Sequence, residues 1–597
     1  MLASLLTTAA AIVATPPAAE AQSPVQVAAA MPTTDHESVL GNYLAGRMAR
    51  GSSDTASAAE FYGKAMRLDP ANDQLAEQAF LMKLSEGEWP AARELAKRVA
   101  ANPEGNRFAR LFLAVSAFAD KDYGKAEELL RGISTGPIGD LTAMLARGWI
   151  KLGMGNVDEA IAILQPANQA EFIQHYSRFH RALVADVAGR RTEAREAYDR
   201  LFKSDPKTVR IALAFARHAA ATGDIKLARQ ILRDNIQRSN GEGHPTIRAL
   251  RDTLDAGKVD YLVTTPNDGM AEVFYNLGEA LSAEGGSSIG LIYLQLALFL
   301  KPDFPFALAA LANVYEATKR HEDAIEVYQR IPRGGPLDVS IQIRKAINLN
   351  LLERTDEAKV LLDKLIADNP TDLRPLDALG SILRARKRWS EAITYYDKAI
   401  DLIDKPEKQH WTYWYARGTS YERMKQWPKA EADLLRALKL NPDQPLVLNY
   451  LGYSWVDQNK NLQRGMKLIE RAVELKPDDG FIVDSLGWAH YKLGNYPEAV
   501  RWLERAVELR PEDPVLNDHL GDAYWRVGRT REARFQWDQA LTLKPEPEDA
   551  EKIRAKLETG LAPKKVVKNP KKQNEAARPD AAKRRVETQQ SQQPNFQ

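Results

Sequence analysis

Few stretches of this 597-residue chain offer a reaction centre. Gly286-Ser287-Ser288-Ile289-Gly290 fits the string G-x-S-x-G, in which a hydrolase raises its serine nucleophile on a sharp strand-to-helix turn. The segment before it has helical periodicity, so a helix–turn–helix loop is predicted, with no strand to present the serine. Nine histidines are scattered: His244 in a loop, His321 in a turn, His490 and His519 on helices. No H-E-x-x-H string occurs and no pair has ligand spacing, so no metal site is expected. With no cysteine, zinc–thiolate sites, disulfides and thiol nucleophiles are excluded. No glycine-rich phosphate loop appears. The expectation is a protein without catalytic residues and without a cofactor.

What the chain does carry is a repeat. IVDSLGWAHYKLGNYPEAVRWLERAVELRPED from Ile482 is followed by VLNDHLGDAYWRVGRTREARFQWDQALTLKPEP from Val515, and preceded by a copy from Val447. The period is about 34 residues, which fixes the architecture before any single side chain is considered. Leu-Gly recurs at Leu277/Gly278, Leu379/Gly380, Leu451/Gly452, Leu486/Gly487 and Leu520/Gly521. Alanines follow at Ala392, Ala430, Ala499 and Ala533, then at Ala399, Ala437, Ala506 and Ala540, and proline closes the unit at Pro442, Pro511 and Pro545. Each unit reads as two helices with apolar residues at i, i+3, i+4 and i+7. Gly487 and Gly521 let the second helix approach closely, Ala499 and Ala506 do the same from the other side, and Pro511 ends the second helix.

This pattern resembles the tetratricopeptide repeat, most fully at Leu486, Gly487, Ala499, Leu503, Ala506 and Pro511, with the aromatic positions Trp414 and Tyr421 in the copy from Trp411. Weaker copies are marked by Ala58/Tyr62/Ala65/Pro70, Ala126/Leu130, Gly148/Ala160/Leu164, Ala182/Ala194/Tyr198/Pro206 and Ala216/Ala228/Leu232. The resemblance covers residues 39 to 545 and implies an all-α fold: an α-solenoid, a right-handed superhelix of about fourteen helix-turn-helix repeats.

Composition agrees with an elongated array. The chain is 27% charged and 44% hydrophobic, ordinary globular values, yet longer than a single core of about 250–300 residues. Net charge is +2, but residues 563–597 hold nine Lys or Arg against three acids, leaving the body slightly acidic. Residues 1–21 read as a signal peptide, with an apolar run from Leu2 to Ala14 and an Ala19-Glu20-Ala21 cleavage pattern. A linker (22–38), a degenerate repeat block (39–237), a joint (238–269), a strong block (270–545), a capping helix (546–561) and a basic tail (562–597) follow. No later run is long enough to cross a membrane.

In proteins with this repeat, the first helix of each unit lines the concave face. That resemblance places Thr412, Tyr415, Thr419, Glu422 and Arg423 inward in one copy, and Asn449, Tyr453 and Val456 in the next. Phe481, Asp484, Trp488 and Tyr491 follow, then Val515, Asp518, Asp522, Trp525 and Arg526. Aromatic rings alternating with charges suit an extended peptide. Asp484 and Asp518 stand where chaperone-tail clamps of this family carry lysine, which argues against that ligand. The expected function is a non-catalytic protein-interaction scaffold of the bacterial periplasm. The chain looks like large envelope repeat proteins, some of which deliver substrates to a periplasmic carboxy-terminal processing protease. The alternatives are a cytoplasmic assembly scaffold and an accessory subunit for glycan synthesis or export. The basic tail suits anionic surfaces, and sequence-specific nucleic-acid binding is not expected.

Overall fold

Helices begin where the sequence supplies a cap. Asp479 accepts from the backbone N–H groups of Phe481 and Ile482, and Asp513 does the same one repeat later for Val515 and Leu516. Prolines open other first turns, as at Pro305, Pro445 and Pro514. Between paired helices the chain turns through left-handed residues such as Gly494, at φ 85°.

The computed structural model describes residues 38–101, 106–131, 136–165, 170–239, 243–254, 257 and 259–562. The leader, all of the linker before Ser38, and the basic tail beyond Ala562 lie outside the described residues. Among the described residues are thirty α-helices, one short 3-10 turn and no strand. Fourteen helix pairs account for all but two of them, Pro245–Thr253 and Pro547–Thr559. The fold is an all-α solenoid. It divides into two compact units, parting between Leu440 and Asn441.

Small residues set the spacing inside each pair. A Cβ on Gly487 would stand 2.6 Å from Leu503 and one on Gly521 2.5 Å from Trp537. The alanines opposite (Ala499, Ala506, Ala533 and Ala540) are completely buried. At Gly278 and Gly290 the two helices meet almost backbone to backbone, a Cβ on Gly290 falling 2.9 Å from the Gly278 carbonyl oxygen. Gly286 caps the helix Ser287–Leu300, and the helix Pro266–Ala283 precedes it, so the G-x-S-x-G string is a repeat turn.

The first unit winds back on itself. From Gly290 onward the helix Ser287–Leu300 is buried on every face, with Leu291, Leu294, Leu296 and Leu298 all at 4% exposure or less. It owes this to the earlier repeats. Gln295 donates to the Ser85 carbonyl at 3.0 Å, and Tyr293 hydrogen-bonds Thr142 at 2.8 Å. Arg320 completes the closure with two 2.8 Å bonds to the Glu86 carboxylate and one of 2.6 Å to Thr55. The neighbouring helix Pro266–Ala283 lays Gly269 flat against the buried Trp149 ring and pairs Glu272 with Arg210. One continuous core therefore runs from Ala76 to Ile341. The turn-rich segment read as a joint contributes Ile247, Leu250, Leu254 and Val263 to that core.

Candidate functional site

In the second unit, the first helices Pro445–Asp457, Gly480–Leu493 and Pro514–Arg526 stand side by side, each backed by its partner helix. Asp484 and His519 face each other across adjacent first helices at 3.0 Å, both buried. The Trp488 ring lies flat on His519, centroids 4.0 Å apart, and on Tyr491 at 4.6 Å. Lys492 hangs over Trp488 and ties to Asp457 at 3.1 Å. Burial alone would push the His519 imidazolium down. The Asp484 carboxylate, helped by Asp518 and Asp522, outweighs it and holds the group above its ordinary value. Trp488 and Tyr491 keep part of their surface in solvent.

At the last repeat the face is already occupied. Lys556, from the helix Pro547–Thr559, sits 2.8 Å from both Asp518 and Asp522. Burial disfavours its charge, but the two carboxylates more than compensate and raise its pKa. Trp537 donates its indole N–H to Asp522 at 3.0 Å, and Gly560 packs directly on the Trp525 ring. Arg526 reaches the Tyr491 hydroxyl at 3.2 Å and the Ala562 carbonyl at 2.8 Å. Asp518, Asp522, Trp525 and Arg526 are thus brought together, with the chain's own helix Pro547–Thr559 among them. Asn449 and Tyr453 lie half-buried on the Pro445–Asp457 helix.

In the first unit, the helix Trp411–Arg423 places Tyr415 half-buried beneath Trp411, ring centroids 5.7 Å apart. Thr419 is buried and donates to the Ala416 carbonyl at 3.0 Å, so its hydroxyl serves its own helix. Glu422 and Arg423 lie 3.7 Å apart, and Arg423 is exposed. Asp377 carries no motif or repeat position that would single it out. Burial pushes its carboxyl up to about 6, against the pull of Arg384.

A second feature also went unread. Consecutive first helices are stapled by buried Asp–His pairs: Asp186 with His218 at 2.6 Å in the first unit, and Asp484 with His519 in the second. Tyr198 adds a bond to Asp186 at 2.9 Å. Each pair spans one repeat in sequence, so the period could have found them. His180 is different. Its Nδ1 accepts from the Trp149 indole at 3.1 Å, and burial drives its pKa down to about 3.

Family models describing a tetratricopeptide repeat match residues 82–136, 179–242, 307–339, 376–409 and 411–444, and a TPR repeat model matches 487–528. A TPR repeat-containing protein of Pseudomonas aeruginosa is 29% identical over 205 residues, 33% of this chain and 32% of that protein. The human protein O-mannosyl-transferase TMTC1 is 27% identical over 211 residues, 35% of this chain and 24% of that protein. The chain therefore spans a third or less of the length of these relatives. Among solved structures, the APC/C hetero-tetramer Cut9–Hcn1 aligns with a TM-score of 0.36 at 15% identity, over 90% of this chain and 98% of that one. YrrB, described as a TPR protein with an unusual peptide-binding site, gives 0.26 at 21% identity, over 32% and 97%. Six matched segments, the paired helices and their small-residue contacts agree, and the chain is a tetratricopeptide-repeat protein.

Proposed function

We propose that this protein is a non-catalytic scaffold of the bacterial periplasm, holding segments of partner proteins on the concave faces of its later repeats. One observation carries the reading. The early repeats are filled by the chain's own Ser287–Leu300 helix, whereas the second unit leaves Trp488, Tyr491 and Lys492 partly open beside a stapled, rigid Asp484–His519 pair. Rigid aromatic groups flanked by charge bind at low entropic cost. Large envelope repeat proteins that serve carboxy-terminal processing proteases suggest the adaptor role, with such a protease as one partner.

The test is a photo-crosslinking residue at position 488, introduced in cells, with mass spectrometry of what it captures. A defined envelope protein is expected, and Tyr491→Ala should weaken its capture about tenfold. Recovery of the mature chain beginning at Gln22 in the periplasmic fraction is expected as well. Met1 retained in the cytoplasm would move the scaffold to that compartment, and no specific capture from 488 would remove the concave face as the binding surface.

A further inference from the structure

The two ends of the described chain are built differently. The closing helix Pro547–Thr559 turns Glu551, Lys552, Arg554 and Glu558 to solvent, the polar face that a terminal repeat needs. The opening helix Val39–Gly51 turns out Leu40, Leu44 and Met48 instead, at 66, 47 and 71% exposure. Spaced at i, i+4 and i+8, they form one stripe. Among the described residues no other helix exposes even two large apolar side chains to this degree. The opposite face holds the helix in place: Gly46 is buried on the Tyr62 ring, where an added Cβ would stand at 3.1 Å. Charge along the stripe is one-sided. The helix carries Arg47 and Arg50, both exposed, and no acidic residue. Arg50 donates to the Gln78 side-chain carbonyl at 2.6 Å. The first acid after the helix, Asp54, accepts from the Ser57 backbone N–H at 2.9 Å, and Glu60 is held by Lys64 at 2.6 Å. Beside the stripe the two arginines open on a hollow of about 370 Å³, lined also by Tyr43, Tyr62 and Gln78.

These features together fit one kind of cover. A stable protein interface takes about 800 Å² from each side, and three side chains supply far less. A bilayer surface asks for less: an apolar face that sinks about 5–10 Å to the headgroup boundary, and cations to meet anionic lipids. We propose that the helix Val39–Gly51 lies on an anionic phospholipid surface. Leu40, Leu44 and Met48 enter the acyl boundary, and Arg47 and Arg50 hold lipid phosphates at the adjacent hollow. Tyr43, half-buried at the edge of that hollow, keeps its ring on Tyr62 and its hydroxyl at the wet boundary. This adds a membrane contact to the scaffold reading and does not depend on it.

The basic tail can reach an anionic bilayer by itself, so the readout is local. The chain has no cysteine, so Met48→Cys supplies a single thiol for an environment-sensitive dye, and Ala555→Cys on the closing helix supplies the control. The full chain is mixed with vesicles of phosphatidylglycerol and phosphatidylcholine, or of phosphatidylcholine alone. The dye at position 48 should shift to the blue on the anionic vesicles only, and the dye at position 555 on neither. Arg47→Gln/Arg50→Gln should weaken partitioning about thirtyfold, a factor of about five for each cation at an anionic surface. Leu40→Ser/Leu44→Ser should weaken it about tenfold. A chain that sediments with the vesicles while the dye at position 48 stays unchanged is held by its tail, and the proposal falls. Equal shifts on the two kinds of vesicle, or indifference to the arginine variant, overturn it as well. So does a dye already shielded without lipid. Shielding that rises with protein concentration gives the stripe to a second copy, and shielding that does not gives it to the residues before Ser38. Soluble glycerol phosphate that binds the parent as tightly as the vesicles do, and fails to bind the arginine variant, gives the hollow to a free phosphate and overturns the lipid assignment.

Discussion

Single residues here act mostly by what they leave room for. Trp149 is fully buried, and the space over its ring is kept by Gly269, where a Cβ would fall 2.1 Å from the indole. Neither the ring nor its acceptor, the imidazole Nδ1 of His180, can yield without breaking the 3.1 Å indole bond. Gly269→Ala is therefore expected to destabilise the first unit by about 1–3 kcal/mol, read as a lowered urea midpoint with an unchanged slope. A midpoint within error of the parent would show that the Trp149 ring moves freely. Nothing in the sequence singled out Gly269. It lies outside the Leu-Gly positions, which were legible because they recur, whereas Gly269 serves one tryptophan over a hundred residues away.

Elements show the same division between what recurs and what does not. The helix pairs, their glycine and alanine contacts and their proline stops could be read because each is local and repeated. The filling of the early coil by Ser287–Leu300 could not, because its bonds join residues 151 and 210 positions apart. One clue was present: SSIGLIYLQLALFL is apolar all round, and a helix without a polar face must be buried on all sides. The candidate site divides likewise. Position within the repeat put Trp488, Tyr491, Asp518 and Asp522 on one face, but the occupation of that face by Lys556 came from outside the repeat. Closure of the coil gives a prediction. Arg320 and Glu86 are each only 12% exposed, so Arg320→Ala leaves a largely desolvated carboxylate unpaired and should cost about 3 kcal/mol. Glu86→Leu combined with Arg320→Met should cost less than Arg320→Ala alone, since no charge is stranded. Additive losses across Glu86→Leu, Arg320→Met and the double variant would mean the pair is not coupled.

At the scale of the molecule, His180 in the first unit and His519 in the second are held in opposite states, and pH should tell them apart. In the first unit, burial pushes His180 down to about 3 and His244 to about 4, and lowers His175. The unfolded chain binds those protons at about pH 6.5, so acid favours unfolding: stability is full above that value and falls as pH drops below it. Each such histidine costs about 1.4 kcal/mol per pH unit there. Asp377, raised to about 6, works the other way as it protonates, and so do Glu279 and Asp433, whose carboxyls burial also raises, so the histidine contribution is read from the His180 variant and not from the unit's net slope. In the second unit His519 is held above its ordinary value by Asp484, so its stabilisation is complete below about pH 6.5 and is lost as pH rises through the raised value, while His490, lowered by burial, works the other way. Scanning calorimetry at about pH 5.5 and about pH 8.5, comparing each variant with the parent, should separate the two contributions. His180→Gln, which keeps an acceptor for Trp149 but cannot titrate, should flatten the acid loss of the first. His519→Gln should flatten the alkaline loss of the second. A common shift of both transitions, unaltered by either substitution, would mean that the two units unfold as one and that these histidines do not govern their stability.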